Sequence, residues 1–350
     1  MNYNFYPGPS KIYPQVAGYF QEAMDLGILE RNHRSNAFQD LFSSTKILLK
    51  SKLNIPLNYE IVVVSSATEC WEIIAQSFIR NKSYHFFNGA FGEKWADYTQ
   101  KIHPETVKKP FELNENPLPH SLDKNTELLA FTHSETSNGT AISESFQKQV
   151  RAQFPDSLIA YDATSSMAGY EFDWDLGDIW YASVQKCFGL PAGMALMVVS
   201  PKAIERAKEI NESEHYNSFN FILKNVQNNQ THHTPNIANV YLLNRLMQNI
   251  ENISSIHQNL KERKEKFYNE LLKIEKLKPL IPSSEHQSDT IFCLKGEKEF
   301  IQDLKQEAEK EGIILGNGYG QWKEITLRIA NFPAIPNKHY IDLINFLYRF

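Results

Sequence analysis

The chain has 350 residues, 42% hydrophobic and 22% charged, with a formal net charge of −5 and a pI near 6.1. That is enough chain for a large core and about two domains, and it lacks the positive field a nucleic-acid partner needs. The most apolar run, Leu190 to Ser200, is too short to span a bilayer.

The opening residues, Met1 to Pro7, have neither the basic start nor the apolar stretch of a secretory leader. Cys70, Cys187 and Cys293 are scattered and lack metal-ligand spacing. Each reads as a small buried apolar residue, so the expected setting is a reducing cytoplasm, with no metal and no membrane or nucleic-acid partner.

In chain order, Ile61–Val64 reads as a strand and Glu69–Ile79 as a helix. Tyr84–Asn88 is a strand, Glu93–Ile102 a helix, Leu128–Thr132 a strand, Glu144–Phe154 a helix and Leu158–Asp162 a strand. Ile179–Ser183 and Ala195–Ser200 are two more strands. This alternation predicts an α/β fold with a mostly parallel sheet. In such sheets ligands lie at the C-terminal ends of the strands, where Thr68, Asn88, Thr136, Asp162 and Lys186 all fall. From about residue 235 the pattern changes to a long helical region, Ile237 to Lys273, with a solvated charged face at Lys261–Lys266. Strands at Asp289–Leu294, Ile313–Leu315 and Glu324–Ala330 and helices at Glu297–Glu311 and Lys338–Arg349 predict a smaller α+β unit.

Lys186 lies among Ala182, Ser183, Val184, Phe188 and Gly189, an apolar setting that disfavours an ammonium and favours a nucleophilic amine. Asp162 ends the preceding apolar strand. An acid that can hold a pyridinium proton, followed by an amine that can form an imine, is what pyridoxal phosphate (PLP) chemistry requires. Ser65-Ser66-Ala67-Thr68-Glu69 opens a helix and reads equally as an ordinary N-cap or as a phosphate cradle. Phe91, in Asn88-Gly89-Ala90-Phe91-Gly92, reads equally as a ring-stacking residue or as core. His232 and His233 are neighbours that should point apart, and they suit phosphate better than a metal.

These residues carry a pattern that resembles the class V aminotransferases of the fold-type I PLP enzymes, and among them the phosphoserine aminotransferases. Phe5-Tyr6-Pro7-Gly8-Pro9-Ser10 is similar to the family's opening. His33-Arg34-Ser35 with Phe38, then Leu53-Asn54-Ile55-Pro56, looks like its next segment. Ser134-Glu135-Thr136-Ser137-Asn138-Gly139, His233-Thr234-Pro235 and Thr326-Leu327-Arg328-Ile329 continue the similarity over nearly the whole chain.

The resemblance implies an N-terminal segment over 1–15 packed on the small domain, a large PLP domain over 16–245 and a small domain over 246–350. It implies that Lys186 carries the cofactor imine, that Asp162 meets the ring nitrogen and that Thr136 meets the phenolic oxygen. Ala67, Thr68 and Gln185 would hold the phosphate and Phe91 would stack on the ring. His233 and Thr234 would reach the phosphate from the second subunit of a homodimer. Arg328 would pin the α-carboxylate, and His33 and Arg34 would recognise the substrate's phosphate.

The implied reaction is transamination between phosphoserine and 2-oxoglutarate in serine biosynthesis. Gly316 to Lys323 departs from the pattern, lacking the family's second His-Arg pair, and Lys323 is the expected substitute. That gap leaves alanine or serine with glyoxylate as the nearest rival. A desulfurase using Cys293 and a non-catalytic binding protein are more distant ones.

Overall fold

The computed structural model describes residues 3–117, 122–123 and 125–350; Met1 and Asn2, at the head of the expected N-terminal segment, lie outside them. The chain begins with helices α1 (Val16–Asp25) and α2 (Asn36–Leu53). It then runs through β1 (Glu60–Val64), α3 (Ala67–Phe78), β2 (Ser83–Phe87), α4 (Ala90–Ile102), β3 (Val107–Pro110) and β4 (Leu128–Thr132). There follow α5 (Glu144–Gln153), β5 (Leu158–Asp162), β6 (Ile179–Ser183) and β7 (Ala195–Val199). The seven strands form one sheet in the order β1-β7-β6-β5-β4-β2-β3. Strands β6, β5, β4, β2 and β3 are parallel, and β7 runs antiparallel to both its neighbours. The expected α/β architecture with a mostly parallel sheet is met.

Every residue of β2, β5, β6 and β7 is buried. Helices cover both faces of such a sheet, so its strands read as continuous apolar runs. One face carries a cross-strand aromatic ladder of successive register partners: Phe86, Phe131, Tyr161 and Trp180. Their rings stack at 5.0, 5.8 and 4.3 Å between centroids. Because side chains alternate along a strand, the residue after each of Phe131, Tyr161 and Trp180 points to the other face. Those residues are Thr132, Asp162 and Tyr181.

After α6 (Pro201–Ile210) and α7 (Phe219–Gln227), the long helical region resolves into two helices, α8 (Ile237–Asn249) and α9 (Ile253–Leu271). Asn252 separates them by capping α9, its side chain accepting from the Ser255 N–H at 3.0 Å. The expected division at 245/246 falls within α8. A second sheet combines β8 (Lys278–Pro279), β9 (Ile291–Lys295), β10 (Gly316–Asn317) and β11 (Thr326–Ala330) in the order β8-β9-β11-β10, with α10 (Lys298–Lys310) and α11 (Asn337–Leu347). The charged stretch of α9 is mostly solvated, but Arg263 is an exception. It is buried and donates to Asn331 Oδ1 and to the carbonyls of Phe332 and Ile335.

The start of the chain is tied to the second sheet's region. Tyr3–Asn4 pairs in parallel with Ile313–Ile314. Phe5 is fully buried, donates to the Ile314 carbonyl and accepts from the Ala330 N–H. Among the described residues no helix is long and apolar enough to cross a membrane. All three cysteines are buried and unpaired, as their spacing led us to expect.

Candidate active site

Thr132 and Asp162, at the C-terminal ends of β4 and β5, and Tyr181, in the middle of β6, form one row in direct register. Asp162 Oδ1 accepts from the Thr164 N–H at 2.9 Å. Trp71 Nε1 donates to the Tyr181 hydroxyl at 2.8 Å. An indole N–H can only donate, so the Tyr181 proton is left for Asp162, with which the hydroxyl interacts. Burial raises the Asp162 carboxyl above its ordinary range, while Thr164, Lys186 and Tyr181 pull it back. The result is an acid held in place from two sides beneath the cleft floor.

Lys186 lies in the turn after β6. Its Nζ donates to Thr136 Oγ1 at 2.8 Å and to Ser165 Oγ at 3.0 Å, and stands 5.3 Å from the Phe91 centroid. Burial brings this ammonium down to about 8, against the opposing pull of Asp162 and Glu135. Gly8 passes over the lysine stem with φ +145°, and a β-carbon there would stand 3.0 Å from Lys186 Cε. Both the backbone angle and the close approach require glycine.

The N-terminus of α3 forms one end of the cleft. Ser66 caps it by accepting from the Glu69 N–H at 3.1 Å, and Glu69 reaches back to the Ser65 N–H at 2.8 Å. This is a capping-box exchange displaced by one residue, and it presents Ala67 and Thr68 to the cleft. Burial would raise Glu69, but His232, Ser65 and Tyr216 outweigh it and hold the carboxylate at about 2.

The facing wall comes from three separate elements. Phe91 and Lys94 lie one turn apart on α4, hence on the same side of that helix. Tyr319 comes from the loop after β10, and its ring is 5.6 Å from Phe91. Arg328 on β11 is buried, with Nε donating to the Asn317 carbonyl at 2.6 Å and Nη1 to the Thr136 carbonyl at 2.8 Å. The enclosed volume is about 500 Å³.

Of the residues singled out in the sequence, Lys186, Asp162, Ala67, Thr68, Phe91, Thr136, Gln185 and Arg328 converge on this cleft. His33, Arg34, His233 and Thr234 do not line it within one chain. His33 and Arg34, expected to meet the substrate's phosphate, lie away from the cleft of their own chain. Arg34 Nη1 instead donates to Asn225 Oδ1 at 2.8 Å and Gln230 Oε1 at 2.6 Å, and His33 lies within electrostatic reach of His233. The two adjacent histidines do not point apart; their Nδ1 atoms are 3.4 Å from each other. Lys323 is exposed and outside the cleft, so it does not fill the gap left by the second His-Arg pair. The sequence reading missed Thr132, Trp71, Tyr181, Ser165, Lys94 and Tyr319. Tyr181 and Thr132 were within reach, since they share a register row with Asp162.

The family model for class-V aminotransferases matches residues 2–322. The chain belongs to the class-V aminotransferases. A phosphoserine aminotransferase of Rhodococcus opacus is 27% identical over 94% of this chain and 89% of its own. The crystal structure of a phosphoserine aminotransferase from Cytophaga hutchinsonii superposes with a TM-score of 0.93 at 30% identity, covering 100% of this chain and 99% of that one. An alanine–glyoxylate aminotransferase from Nostoc shares the fold, with a TM-score of 0.85 at 20% identity, covering 99% and 94%.

Class-V aminotransferases work with PLP, and the cleft fits that group. It offers a buried amine of lowered basicity, a carboxylate fixed across from it and a helix N-terminus for a phosphate. The hydroxyl of Thr132 is buried here with no hydrogen-bond partner among the described residues, a state buried polar atoms rarely keep.

Proposed function

We propose that this aminotransferase exchanges an amino group between phosphoserine and 2-oxoglutarate. The observation that carries this reading is the whole-length match to the Cytophaga enzyme, with Lys186, Asp162 and Arg328 brought together in one cleft. PLP, when bound, supplies a carbonyl that captures the substrate amine and a ring that stores the electrons released at the α-carbon.

The chain's own residues do the rest. Lys186, with its basicity lowered to about 8, would hold the group's carbonyl and, once freed by the substrate amine, would serve as the base for the α-proton. Asp162 would hold its charge at the ring nitrogen, and Thr136 would donate to the ring's oxygen. The start of α3, with Ala67, Thr68 and Gln185, would hold the phosphate, and Phe91 would cover the ring face. Arg328 spends Nε and Nη1 on two carbonyls, which fixes the plane in which its remaining nitrogen grips the α-carboxylate.

In this reading His33, Arg34, His233 and Thr234 complete the cleft of a second copy of the chain, so that the active unit is a homodimer. Their placement away from the chain's own cleft, on the flank where His232 approaches Glu69 at 3.8 Å, supports it. The three buried free cysteines support a cytoplasmic setting.

Alanine or serine with glyoxylate is the second reading. It is favoured by the Gly316–Lys323 segment, which lacks the second His-Arg pair that the resemblance leads one to expect and brings Tyr319 to the cleft instead. Single-turnover half-reactions with phosphoserine, glutamate, alanine and serine decide between them. Phosphoserine should be the fastest, and a preference for alanine or serine overturns the first reading. Mixing Lys186→Ala with Arg34→Ala subunits should restore activity through hybrid dimers. No gain over Arg34→Ala alone ends the shared-site reading.

A further inference from the structure

The charges lining the cleft are unequal. Asp162 is the only acid among the lining residues, against Lys94, Lys186 and Arg328. Lys186 and Asp162 are taken up by the cofactor in the reading above, which leaves Lys94 and Arg328. Neither forms a salt bridge among the described residues, although the Glu135 carboxylate is within electrostatic reach of Arg328. Arg328 donates to two carbonyls. Lys94 Nζ donates to the Tyr319 hydroxyl at 2.8 Å, an acceptor other than a carboxylate.

Tyr319 stands between these two cations. Its ring centroid is 5.4 Å from Lys94 Nζ and 5.5 Å from the Arg328 guanidinium carbon. Lys94 also stands 5.7 Å from the Phe91 centroid. Aromatic faces hold a cation without neutralising it, and a hydroxyl can hold it without a countercharge. Lys94 is an exposed residue; its ammonium is positioned by these neighbours and forms no salt bridge among the described residues.

We propose that Lys94 is a further specificity-determining residue for the substrate's second negative charge, acting within the chain's own cleft beside His33 and Arg34 from the second copy. Arg328 takes the α-carboxylate on one side of Tyr319, and Lys94 takes the side-chain phosphate or carboxylate on the other. The ligand class is a short amino or oxo acid with a terminal anion. The Lys94–Tyr319 pair would thereby do within one chain what Lys323 was expected to do. The proposal rests on the transaminase reading and adds to it the residue that separates dianionic from monoanionic substrates.

The test compares the holoenzyme with Lys94→Met, Lys94→Arg and Tyr319→Phe in single-turnover half-reactions with phosphoserine, glutamate and alanine. Lys94→Met keeps the length of the stem and removes the charge. It should lower kcat/KM for phosphoserine and glutamate by about ten- to a hundredfold, the range for a hydrogen bond to a charged group, and leave alanine within about twofold. Lys94→Arg should recover most of the loss, and Tyr319→Phe should show a smaller loss of the same selectivity. An equal loss on all three substrates would make the Lys94–Tyr319 contact merely structural and overturn the proposal, as would no loss on any. A wild type that turns over glutamate but not phosphoserine ends the phosphoserine reading and leaves Lys94 to be judged on glutamate. One that turns over neither ends both.

Discussion

The wall that holds Asp162 and Lys186 and the wall that holds Phe91, Lys94, Tyr319 and Arg328 are built on different plans. The first is the end of a sheet. Thr132, Asp162 and Tyr181 are in register across three hydrogen-bonded strands, so their spacing follows from strand geometry. The second gathers a helix start, a loop and a strand from another sheet, and its members meet only when the two sheets are brought together. One wall is rigid by construction. The other depends for one of its members, Tyr319, on a loop. In the proposed reading, chemistry sits on the sheet and selectivity on the assembled wall, which gives each a separate route for variation.

Mutations should separate the two walls. Lys186→Ala should remove transamination, leaving less than about a thousandth of the activity, since proton transfer alone is worth that much; the half-reaction absorbance change reads it. Asp162→Asn should cost about a hundredfold in kcat with little change in KM, because it alters the ring's charge and not the grip on substrate. Arg328→Lys should raise KM for every amino acid by about tenfold, as the planar fork is lost, with a smaller effect on kcat. A larger loss in kcat than in KM would show that the assembled wall takes part in the chemistry.

The pH dependence sharpens the same contrast. Apoprotein captures PLP through the neutral lysine amine, and burial lowers Lys186 to about 8. The rate of reconstitution should therefore climb with pH to about 8 and then level off. An amine at its ordinary value would keep climbing for two more units, so a continued rise at pH 9 contradicts a desolvated lysine. The smallest expected effect is Tyr181→Phe, a loss of one hydrogen bond to Asp162, worth about 1 kcal/mol or roughly fivefold in kcat.

What could be read in the sequence follows the same division. Leu128–Thr132, Leu158–Asp162 and Ile179–Ser183 are strands with the bounds expected, because short β-rich runs between turn residues leave little freedom. Asp162 and Lys186 were visible because each sits where such a run ends. Helix α1 went unread: Gln15 supplies no side-chain cap, and only Val16 and Ala23 are buried. Strand β3 hid behind two lysines and a proline on an edge that is partly solvated. Lys94 looked like any exposed helical lysine, and Tyr319 like a residue in a glycine-rich loop. Their meaning lies in a contact 225 residues apart in sequence, which no local pattern carries.

The pairing of Tyr3–Asn4 with Ile313–Ile314, together with Gly8 crossing the Lys186 stem, sets an order of events during synthesis. Residues Tyr3 and Asn4 find their partners far along the chain, at Ile313 and Ile314. The roof over the lysine pocket is therefore anchored only once that later segment is in place. Such long-range closure is slow, and a nascent chain halted before residue 313 would carry its lysine with that roof unanchored.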